Sequence, residues 1–403
     1  MARPTMRAAR YYGKGDIRIE QIPEDDTGPG QIKVAPAYVG ICGTDLHEYL
    51  SGPNFAPQEP HPVTKDTVPI TFGHEFSGVI KELGEGVTGF EVGQKVVVQP
   101  TIYCAACSAC RNGIENTCSN GGFIGLSGGG GGLSDAVVVP AGAVLALPEN
   151  VPLDIGALVE PLSVAWHAVE AAGAALTTDS TVLVLGGGPI GLAVVQCLSA
   201  RKTKKIIVSE VATQRQRFAK EFGAHHVLDP KTYDLVALSR QLSGGDGPDV
   251  IFDCAGVEAS AISSDTIVQI RMIRLGTNNS HNSLNTACGA VAARGLIINV
   301  AIWARPVPFQ PNLLVWKEAK YGAVLGYQRR DFEAVLAQLA SGGIKPAAMI
   351  TGRITMEDIV ERGFRPLIEN KEKEVKILVD VARKTRAEEG EGSGLQKVDS
   401  ARG

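Results

Sequence analysis

The stretch that most constrains the fold is an apolar run, 181–185, that leads through a glycine-rich turn into apolar helical sequence up to about Ala200. The glycines have the spacing G-x-G-x-x-G. The first permits a tight turn, the second lets the backbone approach a pyrophosphate, and the third lets the helix pack on the strand. The pattern predicts a doubly wound parallel sheet that binds a dinucleotide. The residues expected to bind this cofactor are Gly186, Gly188, Pro189, Ile190 and Gly191.

A second apolar run, 205–209, ends at Glu210. A carboxylate at this strand end accepts hydrogen bonds from a ribose diol and repels a 2′-phosphate, which favours NAD over NADP. Arg215 and Arg217 follow within the next helix, where we expect both to be solvated. Further strand-like segments would complete a six-stranded sheet. They lie at 224–229, 249–256, 295–300 and 322–326.

Four of the eight cysteines are concentrated in one short stretch, and they are Cys104, Cys107, Cys110 and Cys118. Thiolates at this spacing can surround one zinc ion tetrahedrally, and a closed four-sulfur shell leaves no room for water. We therefore predict a structural zinc site. An iron–sulfur cluster is the alternative, although the spacing differs from both common ferredoxin patterns.

A second set of metal-binding residue types is dispersed along the chain, and it consists of Cys42, His74, Glu75 and Glu160. A thiol, an imidazole and carboxylates suit a catalytic zinc ion that keeps one position open. Taken alone, each has an ordinary explanation: a buried cysteine before a turn, or a core histidine beside a solvated glutamate. Glu160 lies in apolar sequence at a helix start, where a carboxylate needs a cation. Glu75 and Glu160 compete for the metal, and one of them would lie outside its first coordination sphere.

Two further candidate residues leave the same predicted turn as Cys42, namely Thr44 and His47. A hydroxyl and an imidazole placed there could pass a proton between a pocket and solvent. The proline-rich stretch 50–69 comes next, and a long ordered loop beside a metal site is often a wall or lid of a substrate pocket. Within it we expect His61 to lie at the surface.

The length of 403 residues and the mass of 42.4 kDa favour two domains. The part up to about Gly132 consists of short alternating segments broken by Gly and Pro, which indicates a β-rich, barrel-like domain. The chain has 39 basic and 43 acidic residues and no run of basic residues, so the sequence predicts no basic surface that would bind nucleic acid. The expected partner is therefore a small molecule. We expect no membrane span or signal peptide and a cytoplasmic location. The spacing of Arg3, Arg7 and Arg10 suggests a mitochondrial presequence only faintly.

Taken together, the residues resemble the zinc-dependent medium-chain alcohol and polyol dehydrogenases over about 6–381, and most of all the NAD-dependent 2,3-butanediol (acetoin) dehydrogenases. The segments that carry the resemblance are 40–47, 72–78, 159–167 and 299–303. The resemblance implies a zinc-containing GroES-like catalytic domain, formed by 1–160 and 328–382, and an NAD-binding Rossmann domain at 161–327. The last stretch, 383–403, is rich in Glu, Gly, Lys and Ser, and this composition predicts a disordered tail.

The function implied by the resemblance is a zinc- and NAD-dependent oxidoreductase that interconverts a secondary alcohol or vicinal diol and its ketone. Two zinc ions per chain and a homodimer or homotetramer would go with it. The alternatives are a polyol dehydrogenase of the sorbitol or xylitol type and an L-threonine dehydrogenase. A zinc-free quinone reductase of the same fold is disfavoured by the cysteines that can be assigned to metal.

One segment does not fit the resemblance. Between Gly256 and Gly295 one crossover helix would suffice, yet the connection is much longer. Residues 261–283 would be extra, and we interpret them as a translated intron or a surface insertion. A product that cannot fold, or a non-catalytic relative, is therefore the non-enzymatic alternative.

Overall fold

The computed structural model describes residues 3–256, 282–303 and 305–383. The extra segment 261–283 therefore lies outside the described residues except for its last two, and the predicted tail does so except for Arg383. The described chain divides into two compact units. The first comprises the residues up to Leu158, Gly352–Asn370 and those from Lys376 onward; the second comprises Val159–Thr351 and Lys371–Val375.

The described strands are β1 (Thr5–Gly13), β2 (Asp16–Pro23), β3 (Gln31–Gly40), β4 (Ile70–Thr71), β5 (Glu75–Leu83), β6 (Lys95–Val98), β7 (Thr101–Ile102), β8 (Gly122–Phe123), β9 (Val137–Pro140), β10 (Val144–Ala146), β11 (Thr181–Leu185), β12 (Lys205–Ser209), β13 (His226–Leu228), β14 (Val250–Asp253), β15 (Leu296–Asn299), β16 (Lys320–Ala323), β17 (Ile350–Ile354) and β18 (Lys376–Asp380).

The described α-helices are α1 (Gly43–Ser51), α2 (Ser108–Arg111), α3 (Leu153–Gly156), α4 (Val159–Ala171), α5 (Pro189–Ala200), α6 (Thr213–Glu221), α7 (Leu235–Leu242), α8 (Ser283–Ala290), α9 (Asn312–Val315), α10 (Arg329–Ser341) and α11 (Arg365–Glu369). Short 3₁₀ turns lie at Glu115–Thr117, Ala141–Ala143, Gly173–Ala175 and Pro346–Met349, and a π-helical turn at Ile359–Phe364.

The first unit is built from antiparallel sheets. The largest has the order β10-β6-β5-β3-β18-β17, with β9 also paired to β3, and a second sheet has the order β2-β1-β4. Alternate strand residues such as Val34, Phe76 and Val96 point into one apolar core. The pairing of β3 with β5 places Gly40 opposite Glu75, so two segments distant in sequence end side by side.

The second unit contains a six-stranded sheet with the order β13-β12-β11-β14-β15-β16, in which all neighbours are parallel. This is the order of a doubly wound dinucleotide-binding fold, and the predicted parallel sheet is confirmed. The central strands are apolar on both faces because helices cover both. Helix α10 belongs to this second unit, whereas the resemblance implied that 328–382 belongs to the first domain.

The two sides of the extra segment meet at one carboxylate. Asp253, at the end of β14, accepts hydrogen bonds from the Gly256 N–H at 3.3 Å and from the Ser283 hydroxyl at 2.8 Å. Asn282 is buried and caps α8 by accepting a hydrogen bond from the Asn285 N–H. Asn282 and Ser283 therefore belong to the folded unit, although the sequence analysis counted both as extra.

Candidate functional site

The four clustered cysteines converge on one point. Their sulfur atoms all lie within 4.8 Å of one another, and the separations between neighbours include 3.5 Å and 3.8 Å. Tetrahedral zinc with Zn–S bonds of about 2.3 Å requires sulfurs about 3.8 Å apart, so the group fits this metal. Backbone N–H donors lower the pKa of Cys107 to about 5, whereas desolvation and the neighbouring sulfurs raise the pKa of Cys110 to about 12, so holding all four as thiolates requires a cation. None of the eight cysteines, all of them described, forms a disulfide.

The second group consists of buried His74 and Glu75 and partly buried Cys42, whose candidate ligand atoms also lie within 4.8 Å of one another. Cys42 caps the N-terminus of α1 immediately after β3, and His74 precedes β5. A side chain at position 40 would overlap the Glu75 carboxylate, so only glycine lets the two strands approach here. Burial, reinforced by the charge of Glu75, raises the pKa of Cys42, so its thiolate requires a nearby cation.

Asp45 orients this cluster, a role that sequence reasoning missed although the residue lies within the motif. One carboxylate oxygen accepts a hydrogen bond from the Cys42 N–H at 2.9 Å, which closes the capping box of α1. The other lies 3.4 Å from His74 Nδ1. Burial lowers the pKa of His74, but Asp45 and Cys42 outweigh it and raise the pKa well above its ordinary value. With Nδ1 directed at Asp45, Nε2 is the nitrogen left for a metal.

Lys376 is the second residue that the sequence analysis missed. Its ammonium group donates hydrogen bonds to both oxygens of Glu75, at 2.8 Å and 2.7 Å, and to the Ile41 carbonyl at 3.1 Å. Lys376 and Glu75 are both almost completely buried. A lysine between apolar residues of a strand was the available signal, because a buried lysine needs a paired charge.

The two proton-relay candidates lie on the same helix. Thr44 Oγ1 is 3.7 Å from Cys42 Sγ, and His47 comes one turn later with an exposed side chain. Residues three apart share one helix face, so Thr44 lies near the cluster and His47 lies on the same face at the solvent-exposed side. Glu160 lies in the first turn of α4 in the second unit and is buried, and its role as a ligand stays a prediction.

The expectation for His61 is wrong, because its side chain is only 8% exposed. The Nδ1 atom accepts hydrogen bonds from the Val63 and Thr64 N–H groups, each at 3.2 Å. These backbone donors in a proline-rich loop have no strand partners, and the imidazole satisfies them. The histidine is part of the loop's internal framework.

The glycine-rich turn has the expected geometry. Gly186 has a φ of 91°, Gly188 caps α5, and a side chain at Gly191 would overlap the Gly186 carbonyl. Pro189 occupies the first turn of α5, where its missing N–H costs no hydrogen bond. The first N–H groups of any helix have no partner within the helix, so this helix start is suited to a pyrophosphate.

Glu210 lies directly beyond β12 and faces this turn. Its carboxylate accepts hydrogen bonds from the Gly187 N–H at 2.7 Å and the Ala212 N–H at 2.8 Å. Arg215 is partly buried and donates to the Glu374 carbonyl at 3.0 Å, so the expectation that it is solvated is wrong. Burial lowers the pKa of Arg215, and the charge of Glu210 opposes this change. Arg217 is exposed, as expected.

Comparisons with known proteins agree with both units. The alcohol dehydrogenase GroES-like domain family matches residues 28–149, and the zinc-binding dehydrogenase family matches residues 189–271. (R,R)-butanediol dehydrogenase from Bacillus subtilis is 39% identical over 93% of this chain and 99% of its own length. The enzyme of the same name from Saccharomyces cerevisiae is 35% identical over 93% and 98%, respectively.

A solved structure of 2R,3R-butanediol dehydrogenase from Bacillus subtilis superposes with a TM-score of 0.82 at 37% identity, covering 93% of this chain and 99% of that one. The predicted pairing of a GroES-like domain with a Rossmann domain is confirmed. Among the described residues, no helix has the length and apolar character to cross a membrane.

Proposed function

The chain belongs to the zinc-binding alcohol dehydrogenases, and we propose that it oxidises 2,3-butanediol to acetoin, and reduces acetoin, with NAD as the cofactor. As a member of this family it is an oxidoreductase acting on a CH–OH group. The observation that carries the choice of substrate is the similarity to butanediol dehydrogenases over nearly the whole of both chains. Cys42 and His74 would hold the metal that activates the alcohol, and the glycine-rich turn would bind the cofactor that takes the hydride.

The proposal assigns the catalytic metal to Cys42 and His74, with one glutamate completing the shell. When bound, zinc lowers the pKa of a coordinated hydroxyl toward neutrality. Both Glu75 oxygens already accept hydrogen bonds from Lys376, so we infer that Glu75 is a carboxylate outside the first coordination sphere, and Glu160 remains the other candidate from the sequence. The four clustered cysteines hold the structural zinc.

The protein's own groups then manage the proton. Thr44 Oγ1, beside Cys42 Sγ, is placed to accept a hydrogen bond from the substrate hydroxyl. His47, exposed on the next turn, exchanges the proton with solvent through ribose hydroxyls or water, because an imidazole can both accept and donate a proton. The start of α5 would hold NAD, which would supply the hydride acceptor for the alcohol carbon.

Glu210 supports the choice of NAD. Two backbone N–H groups orient its carboxylate at the glycine-rich turn, where a 2′-phosphate would meet a buried negative charge. Arg215 donates a hydrogen bond to the Glu374 carbonyl, and its positive charge interacts favourably with the Glu210 carboxylate. NADP should therefore bind more weakly than NAD.

We also propose a homodimer or homotetramer in the cytoplasm. Among the strands that the structure describes, β16 pairs on one edge only, and Tyr321 on it is 42% exposed. Trp316, just before this strand, is 76% exposed, and Val315 is 63% exposed. Apolar residues at a sheet edge are suited to pairing with a second copy. Eight unpaired thiols favour a reducing compartment.

A substrate screen tests this proposal. The full-length, zinc-loaded protein is assayed with 2,3-butanediol, acetoin, sorbitol, xylitol and threonine, each with NAD and NADP. The proposal predicts the highest kcat/KM for butanediol with NAD, and for acetoin in reverse. A higher kcat/KM for a polyol would instead favour the polyol alternative, since a sorbitol dehydrogenase from Halalkalibacterium halodurans is 29% identical over 86% of this chain.

A further inference from the structure

His61 joins the proline-rich loop to the segment that follows the four cysteines. Its Nδ1 accepts two backbone N–H groups within the loop, so the ring proton resides on Nε2. Nε2 faces the Gly121 carbonyl at 3.4 Å, which is the geometry of a donated hydrogen bond. One buried imidazole thus bridges two segments 60 positions apart in sequence.

The far side of this bridge leads directly to the metal cysteines. The Gly121 N–H donates to the Cys118 carbonyl at 3.0 Å, and Cys118 Sγ accepts a hydrogen bond from the Cys104 N–H at 3.3 Å. A side chain at Gly122 would come within 3.1 Å of His61 Nε2, so the histidine packs tightly on this glycine pair. An unbroken hydrogen-bonded path therefore runs from the cysteine group to the loop.

Two parallel contacts reinforce the same junction. The Thr64 hydroxyl donates to the Ser127 carbonyl at 3.0 Å, and Asp66 accepts a hydrogen bond from the Gly129 N–H at 2.7 Å. The beginning of the loop is fixed elsewhere, because buried Glu48 on α1 accepts a hydrogen bond from the Asn54 N–H at 2.9 Å. The loop therefore spans the distance between the helix that carries Thr44 and the segment that follows the four cysteines.

We propose that His61 is a positioning residue that couples the four-cysteine site to the proline-rich loop, so that metal bound at the cysteines fixes the loop as a wall of the substrate pocket. The assignment of the loop to the pocket rests on the proposed function; the coupling does not. Metal loss would free Cys118 and Gly121, and the loop would lose its support through His61.

The two amide variants of His61 separate its two contacts. His61→Asn places an oxygen near the Nδ1 position and keeps the bonds inside the loop, while removing the donor to Gly121. His61→Gln places an amide nitrogen near Nε2 and keeps that donor. Lys65→Gln is the matched control, because the Lys65 ammonium contacts only the Pro62 carbonyl within the same loop in the described structure.

Hydrogen–deuterium exchange of loop peptides in the full-length, zinc-loaded protein gives a readout that needs no substrate. His61→Asn should accelerate exchange across 54–69 by about fivefold, the effect of one hydrogen bond worth about 1 kcal/mol. His61→Gln should accelerate exchange at Val63 and Thr64, whose N–H groups lose their acceptor, and should leave the rest of the loop near wild type. Lys65→Gln should not change exchange. Equal exchange in His61→Asn and wild type would overturn the proposal.

The coupling itself is tested by combining His61→Asn with Cys118→Ser. Loss of the cysteine should accelerate loop exchange in the wild-type background and add nothing in the His61→Asn background, because the path is already broken. Equal acceleration in both backgrounds would contradict the coupling. If Cys118→Ser does not fold, removal of zinc by a chelator from the folded proteins gives the same comparison.

Kinetics then connect the loop to the substrate. His61→Asn should raise KM for the diol severalfold with kcat retained, because the loop positions substrate without touching the reacting atoms. A fall in kcat with unchanged KM would contradict the assigned role. If no diol is turned over at all, the proposed function fails, while the exchange experiments still decide the coupling.

Discussion

Replacement of Lys376 by methionine tests the electrostatic design of the cluster. The ammonium group lies 2.7 Å from Glu75 Oε2, and neither side chain is more than 2% exposed, so solvent hardly screens the pair. At an effective dielectric constant of about 20, two unit charges at this distance attract by about 6 kcal/mol. Desolvation offsets part of that attraction, and loss of one partner of a buried pair costs about 3–5 kcal/mol. We expect that loss in the free energy of unfolding of Lys376→Met.

Denaturant unfolding of the metal-depleted protein measures this loss unit by unit. All three tryptophans, at 166, 303 and 316, belong to the second unit. The circular dichroism transition of the first unit should therefore shift, while the tryptophan fluorescence transition stays in place. The double variant Glu75→Gln with Lys376→Met removes both charges and should recover stability to within about 1 kcal/mol of wild type. A loss below about 1 kcal/mol in the single variant, or no recovery in the double variant, would refute the reasoning.

Three further predictions concern other parts of the chain. Asp45→Asn should weaken metal retention at His74 by about 10–100-fold and leave the four-cysteine zinc in place, as measured by bound zinc after dialysis against a chelator. Glu210→Ala should raise KM for NAD at least about tenfold, whereas Arg217→Ala on the neighbouring helix should not; equal effects of the two would contradict the ribose assignment. Deletion of 261–281, which keeps the capping residues of α8, should give a soluble protein whose melting temperature is equal or higher, since a shorter connection costs less closure entropy. A deletion protein that aggregates would show that the segment is needed.

The parts of the fold that depend on local patterns were predictable. Apolar runs followed by glycine turns predicted the parallel strands, because few other sequences form a buried strand that ends in a tight turn. The four-cysteine site was predictable for the same reason, since its ligands all lie in one short stretch. The grouping of Cys42 and His74 was predicted from the chemistry of their side chains, because no local spacing links the two residues.

The missed residues share a different cause. Lys376 meets Glu75 across 301 positions of sequence, and no local pattern links a lysine in one strand to a carboxylate in another. His61 and Arg215 are polar side chains that composition assigns to the surface. Both are held by backbone groups that lack partners in a regular sheet or helix, and such pairing becomes visible only in three dimensions.

The central claim is that Cys42 holds a catalytic metal that works together with NAD bound at the glycine-rich turn. The most direct test compares Cys42→Ser with wild type in butanediol oxidation, NAD affinity and bound zinc. We expect turnover to fall by at least about a thousandfold, because several kcal/mol of charge stabilisation depends on the metal. Zinc content should fall by about one ion per chain, and NAD affinity should stay within about twofold of wild type. Retained turnover, or turnover lost together with NAD binding, would contradict the claim.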